Sequence, residues 1–231
     1  MRELAERGQR RASRGELSAA PVARDPRVYI DTVIVEHRGA APKIHPSAVV
    51  ASTAVISGDV TIGAESQVLH GAVITAEGGS ITIGESVIVM EQAVIRSSAA
   101  DPVHIGDHCL IGPLSSISGA TISDEVFIAT GARIFNGAHI GSHSEVRINA
   151  VVHLRTELPE NSTVPIGWVA VGDPAQILSP DRHDEIWAIQ KDLDFPGYVF
   201  GLDRSTPDLL VQLTERYGAM LARHKDDHIV E

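Results

Sequence analysis

Five side chains carry most of the chemistry this sequence offers: His70, Glu91, Arg96, Ser118 and His153. Arg96 is a permanent cation with a planar fork of donors, suited to a small anion. His70, Glu91 and His153 are candidate general acids or bases. Ser118 adds a hydroxyl that donates or accepts. One arrangement is a polar ligand cleft in which Arg96 binds an anion and His70 or Glu91 moves a proton. The competing arrangement is a Glu91–Arg96 ion pair that closes a seam between subunits, because a buried charge needs a partner.

A repeat decides which of these residues meet. An aliphatic residue recurs every sixth position from Ile44: Val50, Ile56, Ile62, Val68 and Ile74. The pattern resumes at Ile83 after an insertion around Gly78 and Gly79. It resumes again at Ile105 after the Ala99–Pro102 stretch, and runs on to Ala170. A small or β-branched residue usually sits four positions after the aliphatic one, as at Ala54, Ser66, Ala72, Cys109 and Ala132. Neither a helical period nor simple alternation accounts for this spacing. It predicts a mainly β protein, a parallel β-helix with three short strands per turn. Glycine or another small residue after the aliphatic position, as at Gly63, Gly84 and Gly106, is expected to supply unusual backbone angles at the corners. Grouping three hexads per turn gives about seven coils and a prism roughly 33 Å tall.

Stacking the hexads places Val68, Val89, Ile111, Ile128 and Val146 on one face. Two positions after them come His70, Glu91, Pro113, Thr130 and Ile148. On the next face, Thr75, Arg96, Ser118, Phe135 and His153 follow the aliphatic ladder. The predicted cleft, lying between subunits, therefore collects Glu91, Arg96 and Ser118, with His70 one coil above Glu91 and Phe135 one coil below Ser118. His104, His108, His139 and His143 fall on outward positions and read as solvated. His45 helps close the first coil, and Gly78-Gly79 and Asp101-Pro102 mark protruding loops.

The repeat domain is expected over residues 29–178 and a helical segment over 179–231. Ser179-Pro180-Asp181 reads as a helix start, with Ile186, Trp187, Ile189 and Leu193 following. A linker with Pro196 and Gly197 leads to a second start at Ser205-Thr206-Pro207. Leu209, Leu210, Leu213, Tyr217, Met220 and Leu221 then mark one face of an amphipathic helix. Residues 1–28 hold seven Arg against four acids and read as a flexible extension. The whole chain carries 30 acidic and 19 basic residues, a net charge of −11, which disfavours nucleic acid and anionic membranes as partners. No apolar run is long enough to span a bilayer and no signal peptide is evident, so a cytoplasmic location is expected. Cys109 is the sole cysteine, which excludes an intrachain disulfide and a thiolate metal cluster within one chain.

The stretch from Ile44, with "IHPSAVVASTAVISGDVTIG", the later "GAVI" and the exit "VPIGWVAVGDPAQIL", resembles the gamma-class carbonic anhydrase family. The resemblance implies a left-handed β-helix assembled as a homotrimer. It also implies a zinc ion held by three histidines from two subunits, whose bound hydroxide attacks carbon dioxide. At the positions matching those histidines this sequence has Arg96, Pro113 and Ser118. Thr75-Ala76-Glu77 stands where the family has Arg-Gly-Asp, Met90 replaces a Gln, and Glu91 keeps a carboxylate. Pro has no side-chain donor atom and Arg cannot give up its charge to ligate. The expectation is a protein with no metal at the usual site, no cofactor and no ordinary carbonic anhydrase activity, which binds a small molecule or anion.

The alternative is an acyltransferase or thioesterase acting on a coenzyme A ester, with His70 or His153 as general base. Against it, the insertions are short and hold no His before His104. Arg96, Arg133, Arg147 and Arg155 are the cations available near the prism for the coenzyme's phosphates. A metal hydrolase with relocated ligands such as His70 and Glu91 would need a third ligand from a neighbouring chain. Fold alone does not choose among these.

Overall fold

A computed structural model describes residues 32–230. The Arg-rich extension expected over residues 1–28 lies outside the described residues. From Val33 onward the hexad dictates the architecture, a left-handed prism of three sheets. Two faces hold seven parallel strands each. The third is a ten-stranded sheet, whose parallel strands run from Val33–Glu36 to Val169–Val171 with one antiparallel strand added at either end. The two shorter faces agree with the expected seven coils. The longest face gains a layer from Val33–Glu36, which precedes the first readable hexad at Ile44, and the solenoid reaches about eight turns.

The strand register follows the aliphatic repeat. Ile56, Ile74, Ile95, Ile117, Ile134 and Val152 pair in sequence up the longest face. All are buried, and they form one continuous column with the inward residues of the other faces. The second inward row is small because it lies where the faces converge: Ala72, Cys109, Ser115, Ala132 and Ala150 are buried there. Burial pushes the Cys109 thiol up to about 11, so this side chain is packing material and not a nucleophile.

The corners differ from the sequence expectation. The left-handed conformation falls on the third residue after the aliphatic one, as at Glu65 (φ 56°), Ser86 (φ 54°) and His108 (φ 56°). Glycine directly after the aliphatic residue answers crowding instead. A Cβ at Gly84 would lie 2.2 Å from Asp107 Oδ1, which accepts the Glu85 amide at 2.7 Å.

After Val169–Val171 the chain reverses into the antiparallel strand Gln176–Leu178. Ser179-Pro180-Asp181 then forms a turn, closed by the Arg182 amide donating to the Ser179 carbonyl at 3.0 Å, and helix α1 covers His183–Gln190. The helix thus begins later than expected. Its Ile186 packs on Val171 and Leu178. The expected linker at Pro196 and Gly197 is itself a short helix, α2 (Phe195–Phe200). Pro is tolerated in a first turn, where its missing amide would have no helical partner. Gly201 (φ 65°) ends the helix, donating to the Gly197 carbonyl at 3.0 Å. Helix α3 covers Leu209–Leu221, two residues past Pro207, because Asp208 takes a left-handed conformation. A 3-10 turn at Ala222–Asp226 leads to the strand His228–Ile229, which pairs antiparallel with Val33–Glu36. Among the described residues no helix is long and apolar enough to cross a membrane.

Ile95 sits midway along the inward ladder with no solvent exposure. Ile95→Ala is expected to lower unfolding free energy by about 2–5 kcal/mol, and Ile95→Val by about 0.5–1.5 kcal/mol. Urea denaturation of the two variants checks the ordering.

Candidate functional site

The ten-stranded face presents its outward residues in the order that the hexad arithmetic predicts. Arg96 pairs with Thr75 on one side and Ser118 on the other. Phe135 and His153 continue the row, their rings 5.7 Å apart. Parallel pairing at adjacent coils sets this spacing, since equivalent residues on neighbouring strands lie about 4.8 Å apart. Helices α2 and α3 lie over the row and leave a cavity of about 330 Å³. Arg96, Ser118 and Phe135 form part of the prism side, and Phe200, Arg216 and Tyr217 part of the helical side.

Polar anchors hold the helices there. Arg96 Nη1 donates to the Tyr217 hydroxyl at 3.1 Å, joining the prism to α3. Asp101 is buried and accepts the Tyr198 hydroxyl at 2.7 Å and the Asn136 amide nitrogen at 3.2 Å. Burial, reinforced by that carboxylate, pushes the Tyr198 phenol up to about 12, so it stays a donor. The Asp101-Pro102 insertion, expected as a protruding loop, therefore places its acid inward as a mount for α2. Edge-to-face rings continue the contact, from Phe135 to Phe195 (6.4 Å), Phe195 to Phe200 (5.9 Å) and Phe200 to Tyr217 (5.9 Å).

Of the sequence candidates, Arg96 and Ser118 line this cavity. His70 and Glu91 do not line it; both are exposed two positions past inward valines of the adjacent face, where His70 Nδ1 lies 2.8 Å from Thr53 Oγ1. No Glu91–Arg96 ion pair forms among the described residues, so the seam-closing pair would need a second subunit. His153 lies beyond Phe135, and its Nδ1 is buried without a hydrogen-bond partner. Desolvation lowers its pKa from the ordinary imidazole value. His104, His108, His139 and His143 are exposed, as expected.

Sequence reasoning missed the helical half of the cavity. The spacing of Leu213, Tyr217 and Met220 marked a helix face, but nothing in it pointed to Arg96. A second group was also missed: His37, near the start of the described chain, and His224 and Asp227, near its end, meet Glu77 of the prism. His37 precedes the first readable hexad, and His224 follows the last amphipathic residue. The Asp227 hydrogen bond, aided by Glu77, raises the pKa of His224 above the ordinary value, while partial burial opposes it.

No protein-family model matches the chain. It is 36% identical over 142 residues to a protein of Methanocaldococcus jannaschii named "Probable carbonic anhydrase", covering 62% of this chain and 86% of that protein. It is 30% identical over 152 residues to the mitochondrial gamma carbonic anhydrase 1 of Arabidopsis thaliana, covering 63% of this chain. The chain spans about half the length of that relative, 53%. Among solved structures it is similar to a candidate acetyltransferase of Bacillus cereus, with 25% identity and a TM-score of 0.55. That likeness covers 68% of this chain and 90% of the other.

The half-buried ring of His153 generates a pH prediction. Because the folded state lowers its pKa, the unfolded chain takes up a proton first as pH falls through about 6.5, and folding stability drops with it. His153→Phe keeps a ring beside Phe135 and removes the titration. Urea unfolding at about pH 8 and pH 5.5 should show a smaller loss of stability for the variant than for the wild type. Equal losses would place the acid sensitivity elsewhere.

Proposed function

The chain belongs to the gamma carbonic anhydrase family of hexapeptide-repeat proteins, and we propose that it is a member without the family's usual zinc site, one that binds small anionic molecules as a homotrimer. The observation that carries this reading is the cavity over Arg96. The family pattern calls for a histidine there, whereas this chain has a guanidinium hydrogen-bonded to Tyr217. Pro113 and Ser118 stand at the other two matching positions. A proline, a permanent cation and a neutral hydroxyl do not make a zinc donor set, so these residues do not fit the metal that the family implies. Zinc-bound hydroxide is therefore no part of the mechanism at this position.

The cavity chemistry is that of an amphiphilic anion site. Arg96 and Arg216 supply positive charge at its wall, and neither is ion-paired among the described residues. Phe135, Phe195 and Phe200 supply apolar surface for the rest of a ligand. The volume suits a compact molecule at the lower end of ordinary ligand sites. A carboxylate on Arg96 would form charge-assisted hydrogen bonds, with the Ser118 hydroxyl beside it.

Trimer formation is supported by an outward ladder on the neighbouring face. Ile88, Leu110 and Phe127 stack in register over three coils, an apolar strip suited to a second copy. A coenzyme A-ester reaction is the second reading. Its favouring observation is His153, whose desolvated ring stays neutral and can accept a proton.

Four measurements test these assignments. Calorimetric titration with bicarbonate and with small aliphatic and aromatic carboxylates should find a binder, and Arg96→Ala should weaken it at least about tenfold by loss of a charged hydrogen bond. Carbon dioxide hydration should stay at the uncatalysed rate; activity above it that is lost in Arg96→Ala would overturn the reading that the usual zinc site is gone. Free thiol released from acetyl-coenzyme A would favour the second reading, provided that it disappears in His153→Phe. Light scattering should give three times the 24.6 kDa chain mass, and a monomer would remove the trimer.

A further inference from the structure

Four ionisable side chains from distant segments meet at the end of the prism where α3 gives way to the terminal strand. His37 follows the strand Val33–Glu36 and is only 3% exposed. Its Nδ1 lies 2.6 Å from Asp227 Oδ1. His224 Nδ1 lies 2.8 Å from the other oxygen of the same carboxylate, and its Nε2 lies 3.0 Å from Glu77 Oε2. The two imidazoles stack with centroids 4.4 Å apart and planes 23° from parallel, which turns both Nδ1 atoms toward Asp227. Ligand atoms of His37, His224 and Asp227 all lie within 4.8 Å of one another.

We infer that His37, His224 and Asp227 form a site for a divalent transition ion of the zinc class, with Glu77 orienting His224. Two imidazole nitrogens and a carboxylate are a borderline-soft donor set, which suits Zn²⁺ or Co²⁺ better than Mg²⁺ or Ca²⁺. A ligating histidine commonly donates its other ring N–H to a carboxylate, which fixes the tautomer and strengthens the ligand. Glu77 stands where that arrangement requires it, on Nε2, and leaves the Nδ1 lone pair directed at Asp227.

The present spacings are those of hydrogen-bonded pairs. Ligand atoms around a tetrahedral zinc lie about 3.3 Å apart, so the Asp227 carboxylate must retreat by roughly 0.7 Å from His37 and 0.5 Å from His224. An ion lies in the plane of each imidazole that holds it, so the two stacked rings must also tilt toward one another to share it. Asp227 follows a single 3-10 turn, and its side chain is 17% exposed.

The ion would act as a clasp. Glu36 pairs with His228 and Val35 with Ile229, so the site fastens the terminal strand to the start of the solenoid. Helix α3, directly upstream, is one wall of the cavity, and Glu77 lines that cavity as well as bonding His224. This inference does not rest on the anion-binding reading, since it uses none of Arg96, Ser118 or Tyr217.

The test uses the full chain, free of any histidine tag, dialysed against chelator and titrated with Co²⁺. Visible ligand-field absorption should saturate at one ion per chain and be displaced by Zn²⁺, with a rise in melting temperature. His224→Ala and Asp227→Asn should abolish the signal, and Glu77→Gln should weaken binding about 10–100-fold. His139→Ala and His143→Ala, at exposed histidines, should leave it unchanged. Absence of stoichiometric binding to the wild type would overturn the site. So would a signal that survives in His37→Gln and His224→Ala variants shown by circular dichroism to be folded.

Discussion

The prism and the outward side chains it carries are placed by the in-register stacking of inward aliphatic side chains. Each buried isoleucine fixes the coil it belongs to, because slipping a strand by one residue would expose the inward row and bury the outward one. The outward neighbour is then carried to a defined height and face. Arg96 sits between Thr75 and Ser118 because Ile95 sits between Ile74 and Ile117. The prism therefore positions chemistry without investing any chemistry of its own in the core.

The helical segment is held by different forces. No residue of α2 or α3 is buried, and the contacts that define their seats are largely polar or aromatic. Asp101 accepts from Tyr198, Arg96 donates to Tyr217, and the His37–Asp227 pair anchors the last described strand. The two halves should thus answer differently to solvent. Stability of the prism scales with apolar area, whereas attachment of the helices depends on a few directional bonds, each modest in net worth. That contrast lets a cavity form between a rigid wall and a more adaptable one.

The legible part of the structure was whatever the six-residue period governs. The order Thr75, Arg96, Ser118, Phe135, His153 follows from counting, and so do the buried ladder and the exposed outward histidines. Counting also collected Glu91 with Arg96 and Ser118, with His70 a coil above, yet His70 and Glu91 do not line the cavity. The helical wall was not legible, because the bond between Arg96 and Tyr217 joins segments with no shared pattern. Asp101 looked like a loop acid and is a buried mount, since its partner Tyr198 lies in a stretch that Pro196 and Gly197 disguised as linker. His37 and His224 lie outside the repeat at opposite ends, where no spacing rule connects them.

The antiparallel strands at the two ends of the longest face have a consequence for how these molecules can associate. A parallel solenoid left bare would offer its last strand as a template, and copies could add end to end without limit. Here Gln176–Leu178 lies across one end and His228–Ile229 across the other, each running against the stack direction. A further copy arriving in the solenoid's own sense would meet strands of the wrong polarity on its most extensive sheet. Parallel continuation of that sheet is thus interrupted at both ends, while the two seven-stranded faces end on parallel strands.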